Sequence, residues 1–108
     1  MPLRQRKKIQ ALLRTESMTN PEIAAVFRDI ANLLEKKKEN WFKIRSYRKA
    51  AEEIEKLTVE LSRLAEEGKL REIPGVGDAI EKKITEMLST GRLQFYEKLK
   101  AEVGVNTG

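Results

Sequence analysis

The sequence predicts an all-α fold, a compact bundle of four to six short helices. Apolar residues recur at helical spacing, helix start and stop signals separate the segments, and no stretch shows the alternating pattern of a strand. Hydrophobic residues make up 40% of the chain and charged residues 36%, a balance typical of a soluble, helix-rich domain. With 108 residues, the chain has room for one domain.

The first predicted helix runs from about Asn20 to Lys37. Thr19 and Glu22 have the spacing of a capping box, and Pro21 is tolerated in a first helical turn. The apolar line that follows is Ile23, Phe27, Ile30 and Leu34. The cluster Lys36-Lys37-Lys38 suits the end of this helix, because the helix dipole favours cations there.

Two further helices are predicted between Trp41 and Gly68. The second runs from about Trp41 to Lys56, after a break at Glu39-Asn40, with the apolar line Ile44, Tyr47, Ala51 and Ile54. Thr58 is a candidate cap for a third helix, which carries Leu61 and Leu64 and ends at Gly68.

The last part of the chain contains a glycine-rich turn between helical segments. A short helical turn over Lys69–Ile73 precedes Pro74-Gly75-Val76-Gly77. A helix is then predicted from Asp78 to about Thr90, closed by Gly91, and a last helix from Leu93 to Val103. The predicted organisation is a basic N-terminal tail (1–17), a helical domain (18–103) and a C-terminal tail (104–108).

Composition restricts the chemistry of this chain. It contains no cysteine and no histidine, so disulfides, thiolate chemistry and histidine metal ligands are excluded. No apolar run approaches the ~18 residues of a membrane span. Most of the net charge of +5 lies in residues 1–17. The rest of the chain is nearly neutral, so anion binding there depends on local patches.

The turn Pro74-Gly75-Val76-Gly77 has the properties of a phosphate site. Both glycines permit positive φ and bring no Cβ, so backbone N–H groups can converge with the free N–H groups at the start of the next helix. The predicted contacts are Gly75, Val76, Gly77, Asp78 and Ala79. The alternative is a tight helical hairpin whose glycines serve only the turn, and the Asp78 carboxylate favours it because it would repel a phosphate.

The string from Leu70 to Ile80 resembles a helix–hairpin–helix motif along its whole length. Ile30–Glu35, Phe42–Ala51 and Leu70–Leu93 occur in the same order in the amino-terminal domain of family X DNA polymerases, which the chain resembles from about Asn20 to Leu99. The resemblance implies binding at the 5′-phosphate side of a DNA gap. In some members the domain also removes a 5′-deoxyribose phosphate. No polymerase activity is expected of this chain alone.

The resemblance also implies a catalytic lysine at Lys83. At 100° per residue, Lys83 flanks the apolar stripe of the Asp78 helix, whereas Lys82 faces away. A half-buried amine beside other cations has a lowered pKa, as a Schiff-base nucleophile requires. An ordinary phosphate-contacting lysine is the alternative. The chain departs from the family pattern at Phe42, Ala79 and Lys82, which weakens the case for a lyase.

Basic side chains and carbonyls complete the predicted site. Lys43, Arg45 and Arg48 are predicted backbone contacts for single-stranded DNA, together with Lys82 and Lys83. Lys49 belongs to the same cluster, and Trp41 or Tyr47 is available for stacking, although Tyr47 is expected in the core. No cofactor is required. By resemblance, the carbonyls of Arg71, Ile73 and Val76 would hold K⁺ or Na⁺ when DNA is bound.

Three functions follow as hypotheses. The first is a DNA-binding domain for gapped or single-stranded DNA with a 5′-phosphate end, part of or related to a DNA repair polymerase. The second is a 5′-deoxyribose-phosphate lyase acting through Lys83, and the third is a helical protein-interaction module. A monomer without membrane contact is expected. We expect it in the cytoplasm or nucleoid of a prokaryote, or in the nucleus of a eukaryote.

Overall fold

The computed structural model describes residues 18–107, with side chains described to residue 104, and its regular elements there are all helical. The predicted all-α class is therefore confirmed. The predicted basic tail at residues 1–17 lies outside the described residues. The elements are α1 (Asn20–Lys36), α2 (Trp41–Glu55), α3 (Leu61–Glu66), a 3₁₀ turn (Leu70–Glu72), α4 (Asp78–Thr90) and α5 (Gln94–Thr107).

The start of α1 has the predicted capping box. The Thr19 hydroxyl accepts a hydrogen bond from the Glu22 N–H at 3.3 Å, and the Thr19 N–H donates to the Glu22 carboxylate at 2.9 Å. These two bonds satisfy N–H groups that have no partner inside the helix. Local sequence therefore determines where α1 begins.

A single core joins the helices, and the packing of α1 against α2 forms its main part. The Phe27 ring is fully buried and lies 5.8 Å from the Tyr47 ring, centroid to centroid. Helix α5 packs against α1, where Leu99 and Val103 are buried. Helix α3 contacts α4 and the 3₁₀ turn. The core thus fixes α4 and the glycine-rich turn against the α1–α2 pair.

Polar contacts supplement the packing of α5 on α1. The Tyr96 hydroxyl donates a hydrogen bond to the Asp29 carboxylate at 2.5 Å, and Lys37 pairs with Glu102 at 2.7 Å. Burial, with the Asp29 carboxylate beside it, raises the pKa of Tyr96 to about 12. The Tyr96 hydroxyl therefore stays protonated at neutral pH and remains a donor.

The start of α3 differs from the prediction. Thr58 does not cap this helix; its N-cap position is Glu60, whose side chain makes no capping bond. The Asn20 side chain from α1 takes that role instead, because its carbonyl oxygen accepts from the Leu61 N–H at 2.8 Å. The same amide donates to the Val59 carbonyl at 2.9 Å. The prediction that Thr58 caps this helix was therefore wrong. The cap is a side chain from a distant part of the sequence.

The other helix boundaries agree closely with the sequence pattern, except at the C-terminal end. Helix α4 spans the predicted residues, and Gly91, with φ of 80°, caps its C-terminal end. Helix α5 continues to Thr107, beyond the expected end at Val103. Among the described residues, none of the helices combines the length and the apolar character that crossing a bilayer requires.

We expect Asn20→Ala to destabilise the domain by about 1–3 kcal/mol, because it removes a buried cap and leaves the Leu61 N–H without an acceptor. Urea unfolding followed by circular dichroism measures this change. Thr58→Ala is the matched control and should change the free energy of unfolding by less than about 0.5 kcal/mol. Equal losses in the two variants would contradict the assignment of the cap to Asn20.

Candidate nucleic-acid interface

Ile73, Pro74, Gly75 and Val76 form a tight turn between the 3₁₀ turn and α4. The Val76 N–H donates to the Ile73 carbonyl at 3.0 Å, and Gly75 has φ of 86°. Proline in the second position and a glycine of positive φ in the third are the features of a type II turn. The Val76 N–H is therefore used within the turn and is not one of the converging free donors expected from the sequence.

The turn is fixed against α2 by close packing. Ile73 and Val76 are both buried, which anchors the two ends of the turn in the core. A Cβ added to Gly75 would lie 2.8 Å from the Lys49 Cγ and 3.9 Å from the Ala50 nitrogen. A glycine is thus required at position 75 for two reasons: the backbone has a positive φ, and it lies too close to α2 to leave room for a Cβ.

Gly77 has a different role from Gly75. Its φ of −99° and ψ of −166° are extended backbone that any residue adopts, so Gly77 does not use the positive φ that a glycine permits. A Cβ added to Gly77 meets no atom within 4 Å. The fold itself therefore does not require a glycine here, whereas the open space in front of Gly77 allows a ligand to approach the backbone closely.

Helix α4 begins at this open space with unpaired donors. Its first intrahelical bond runs from the Glu81 N–H to the Gly77 carbonyl. The N–H groups of Asp78, Ala79 and Ile80 have no acceptor among the described residues. The Asp78 carboxylate does not cap them; it pairs with Lys82 at 3.4 Å and with Arg71 at 3.9 Å. Three N–H groups at the positive end of the helix dipole are therefore available to an anion, and the Asp78 carboxylate beside them has two cationic partners.

The three carbonyls predicted to hold a monovalent cation differ in their hydrogen bonds. The carbonyls of Arg71 and Val76 accept no hydrogen bond within the described part of the chain, and the Ile73 carbonyl accepts one, from Val76. A carbonyl oxygen has two lone pairs, so Ile73 retains one. Carbonyl oxygens are hard ligands for alkali and alkaline-earth cations. Residues 18–107 contain no cluster of three acidic or histidine side chains that could hold a metal ion.

Lys83 and Lys82 lie in different environments, as their helical positions predict. Lys83 is half-buried, and its Nζ lies 4.7 Å from the centroid of the Phe95 ring. Burial lowers the pKa of Lys83; the nearby Glu86 carboxylate raises it, and the Lys43 ammonium lowers it further. The Lys82 side chain is 77% exposed and pairs with Asp78. A lowered pKa leaves more of the Lys83 side chain as the neutral amine than in an ordinary lysine.

The basic residues of α2 divide into paired and unpaired groups. Arg48 pairs with Glu35 at 2.7 Å and bonds to Asn32 at 3.2 Å, while Lys49 pairs with Glu53 at 3.0 Å. Lys43 and Arg45 are exposed and have no ion pair within the described residues. Among the predicted backbone contacts of α2, these two are therefore the side chains most available to a phosphate.

The aromatic residues near this surface differ in exposure. Tyr47 is buried, as expected, and burial raises its pKa to about 12. Its ring stacks on Phe95 at 6.2 Å between centroids. Trp41 and Phe42 are exposed. The sequence did not associate Phe95 with Lys83, because their proximity depends on how α5 packs, and no local pattern records it.

These elements define a small all-helical domain in which two helical segments flank a type II turn and α4 begins at an open, donor-lined surface. Residues 18–93 match the family described as the helix-hairpin-helix domain. The chain belongs to this family, whose domains are generally DNA-binding.

Proposed function

We propose that the domain binds the phosphate backbone of gapped or single-stranded DNA at a 5′-phosphate end, through the hairpin and the start of α4. The observation that carries this proposal is the set of unpaired N–H groups of Asp78, Ala79 and Ile80 in front of the open space at Gly77. A helix N-terminus with free donors is suited to a phosphate oxygen. Lys43 and Arg45 supply further phosphate contacts on α2, and Lys82 and Lys83 supply them on α4.

The wider setting that we propose rests on sequence resemblance. The order of the Phe42–Ala51 and Leu70–Leu93 stretches is that of the amino-terminal domain of family X DNA polymerases, so a role in DNA repair is proposed. We further propose that the domain acts as a monomer. Its location would then follow the DNA, in the nucleoid of a prokaryotic cell or the nucleus of a eukaryotic one.

A monovalent cation completes the proposed phosphate site. The carbonyls of Arg71, Ile73 and Val76 would hold K⁺ or Na⁺ when DNA is bound, and the cation would offset phosphate charge. Two of these carbonyls accept no hydrogen bond among the described residues, which supports the proposal.

A second candidate function is a 5′-deoxyribose-phosphate lyase with Lys83 as nucleophile. The half-buried position of Lys83 and the direction of its pKa shift favour this chemistry. The neutral amine of Lys83 would add to the C1′ aldehyde of the abasic sugar and lose water to form an imine. Loss of a proton from C2′ and breaking of the C3′–O bond would then free the downstream DNA with its 5′-phosphate, and water would release the sugar phosphate from Lys83.

We expect Gly77→Ala to lower affinity for 5′-phosphorylated gapped DNA by about tenfold, because its Cβ enters the space that the phosphate needs. The free energy of unfolding should change by no more than about 1 kcal/mol, since the backbone at Gly77 is extended. Gly75→Ala is the comparison and should lower stability by at least about 1–2 kcal/mol. Fluorescence anisotropy and urea unfolding measure the two effects. If folded Gly77→Ala bound this DNA with wild-type affinity, the hairpin would not be the phosphate-binding site.

Replacing K⁺ and Na⁺ with a bulky organic cation at equal ionic strength should weaken DNA binding several-fold, because such a cation does not fit three carbonyls. Anisotropy titrations in potassium chloride and in tetramethylammonium chloride measure the difference. A duplex-binding protein without a cation site, titrated in the same buffers, controls for changes in the DNA. Equal affinity in both salts would rule out the cation.

Lys83→Ala should abolish borohydride trapping on a 5′-deoxyribose-phosphate substrate and spare most DNA binding, because Lys43, Arg45 and the hairpin amides remain. Lys82→Ala is the matched control, with trapping intact and binding slightly weaker. Since the pKa of Lys83 is lowered, trapping by the wild type should reach its plateau below the ordinary lysine value of about 10.4. Trapping that survives Lys83→Ala would exclude Lys83 as the nucleophile, and its absence in the wild type would leave a binding domain without lyase activity.

A further inference from the structure

Two large aromatic side chains lie exposed at the start of α2. Trp41 is 53% exposed and Phe42 is 76% exposed, more than any other large apolar side chain among the described residues. Neither belongs to the core. The fold therefore gives no reason for aromatic residues at these two adjacent positions, and contiguous exposed apolar surface of this kind is typical of a binding site.

The charges around these rings point to an anionic partner. The first turn of α2 contains no acidic residue; Lys43 follows the two rings directly, and Arg45 lies two residues further along. Cations near a helix N-terminus oppose the helix dipole, so the arrangement disfavours the free helix. It becomes favourable when an anion lies against the surface. Neither Lys43 nor Arg45 has an ion pair within the described residues that would otherwise account for its charge.

The rings and the cation share one face of the helix. At 100° per residue, Arg45 lies about 40° from Trp41 and about 60° from Phe42, so it projects between them. Lys49 continues this face and lies against the hairpin, since its Cγ is 2.8 Å from the position that a Cβ on Gly75 would take. Trp41 and Lys49 are about 12 Å apart along α2 at 1.5 Å per residue. A few nucleotides of single strand cover that distance.

We infer that Trp41 is a stacking platform for an unpaired DNA base, with Phe42 beside it and Arg45 on the adjoining phosphate. This inference rests on the proposed function, because it assumes that the strand also reaches the hairpin. A lipid surface fits less well, since a membrane-bound helix presents a broad apolar face. Here the exposed face turns polar after the two rings, at Arg45, Ser46 and Lys49.

The single tryptophan of the chain makes the inference directly testable. The full chain is titrated with a 5′-phosphorylated oligothymidylate and with an oligomer of equal length built from abasic spacers. Anisotropy of labelled oligomers reports binding, and Trp41 emission reports stacking. Both oligomers should raise the anisotropy because both carry the phosphates. Only the oligothymidylate should quench the emission, because only it has bases.

Variants separate stacking from phosphate binding. Trp41→Ala should lower affinity for the oligothymidylate roughly tenfold and leave affinity for the abasic oligomer unchanged, while Trp41→Phe keeps most of the affinity. Val59→Ala is the matched control, because Val59 is another exposed apolar residue, 39% exposed, and its loss should have no effect. Circular dichroism checks that each variant is folded.

The outcomes distinguish this inference from the proposed function. Binding without quenching, or wild-type affinity in Trp41→Ala, overturns the stacking role and leaves the hairpin proposal standing. Absence of any anisotropy change overturns both. A shift of Trp41 emission with phosphatidylserine vesicles, but not with the oligothymidylate, assigns the rings to a membrane and overturns the inference.

Discussion

The small side chains at the middle of α2 determine how the rest of the molecule is arranged. Ala50 and Ala51 are fully buried, and the glycine-rich turn passes close enough for a Cβ on Gly75 to approach the Ala50 nitrogen to 3.9 Å. Helix α2 can therefore pack on α1 and support the turn at the same time. Because interiors are close-packed, a larger residue at Ala50 or Ala51 would fit only if the neighbouring elements moved.

Local patterns predicted the helices well and the long-range contacts poorly. Helical spacing and the Thr19–Glu22 capping box are properties of neighbouring residues, so α1, α2 and α4 were located correctly. The cap on α3 joins Asn20 to Leu61 across the bundle, and no local rule selects Asn20 over Thr58. In the site, the half-buried position of Lys83 followed from helix geometry, whereas its contact with Phe95 depends on the packing of α5.

Ion pairs within the domain decide which of its cations are available to a ligand. Glu35 holds Arg48 and Asp78 holds Lys82, in pairs whose members are substantially exposed. Exposed pairs contribute only about 0–1 kcal/mol each, so a phosphate can replace the carboxylate at little cost. Lys43 and Arg45 have no ion pair among the described residues, so a phosphate can bind them without replacing a carboxylate. A nearly neutral body can therefore present a cationic surface, which total charge alone did not indicate.

A line of aromatic rings connects the candidate site to the core. The Phe27 ring contacts Tyr47, Tyr47 stacks on Phe95, and Phe95 lies beside the Lys83 ammonium. The face of an aromatic ring attracts an ammonium, whereas burial lowers the pKa of Lys83. Because these rings are held by the packing of α1, α2 and α5, the environment of Lys83 is fixed by the core. One step of 100° along α4 thus separates the half-buried Lys83 from the exposed Lys82, which pairs with Asp78.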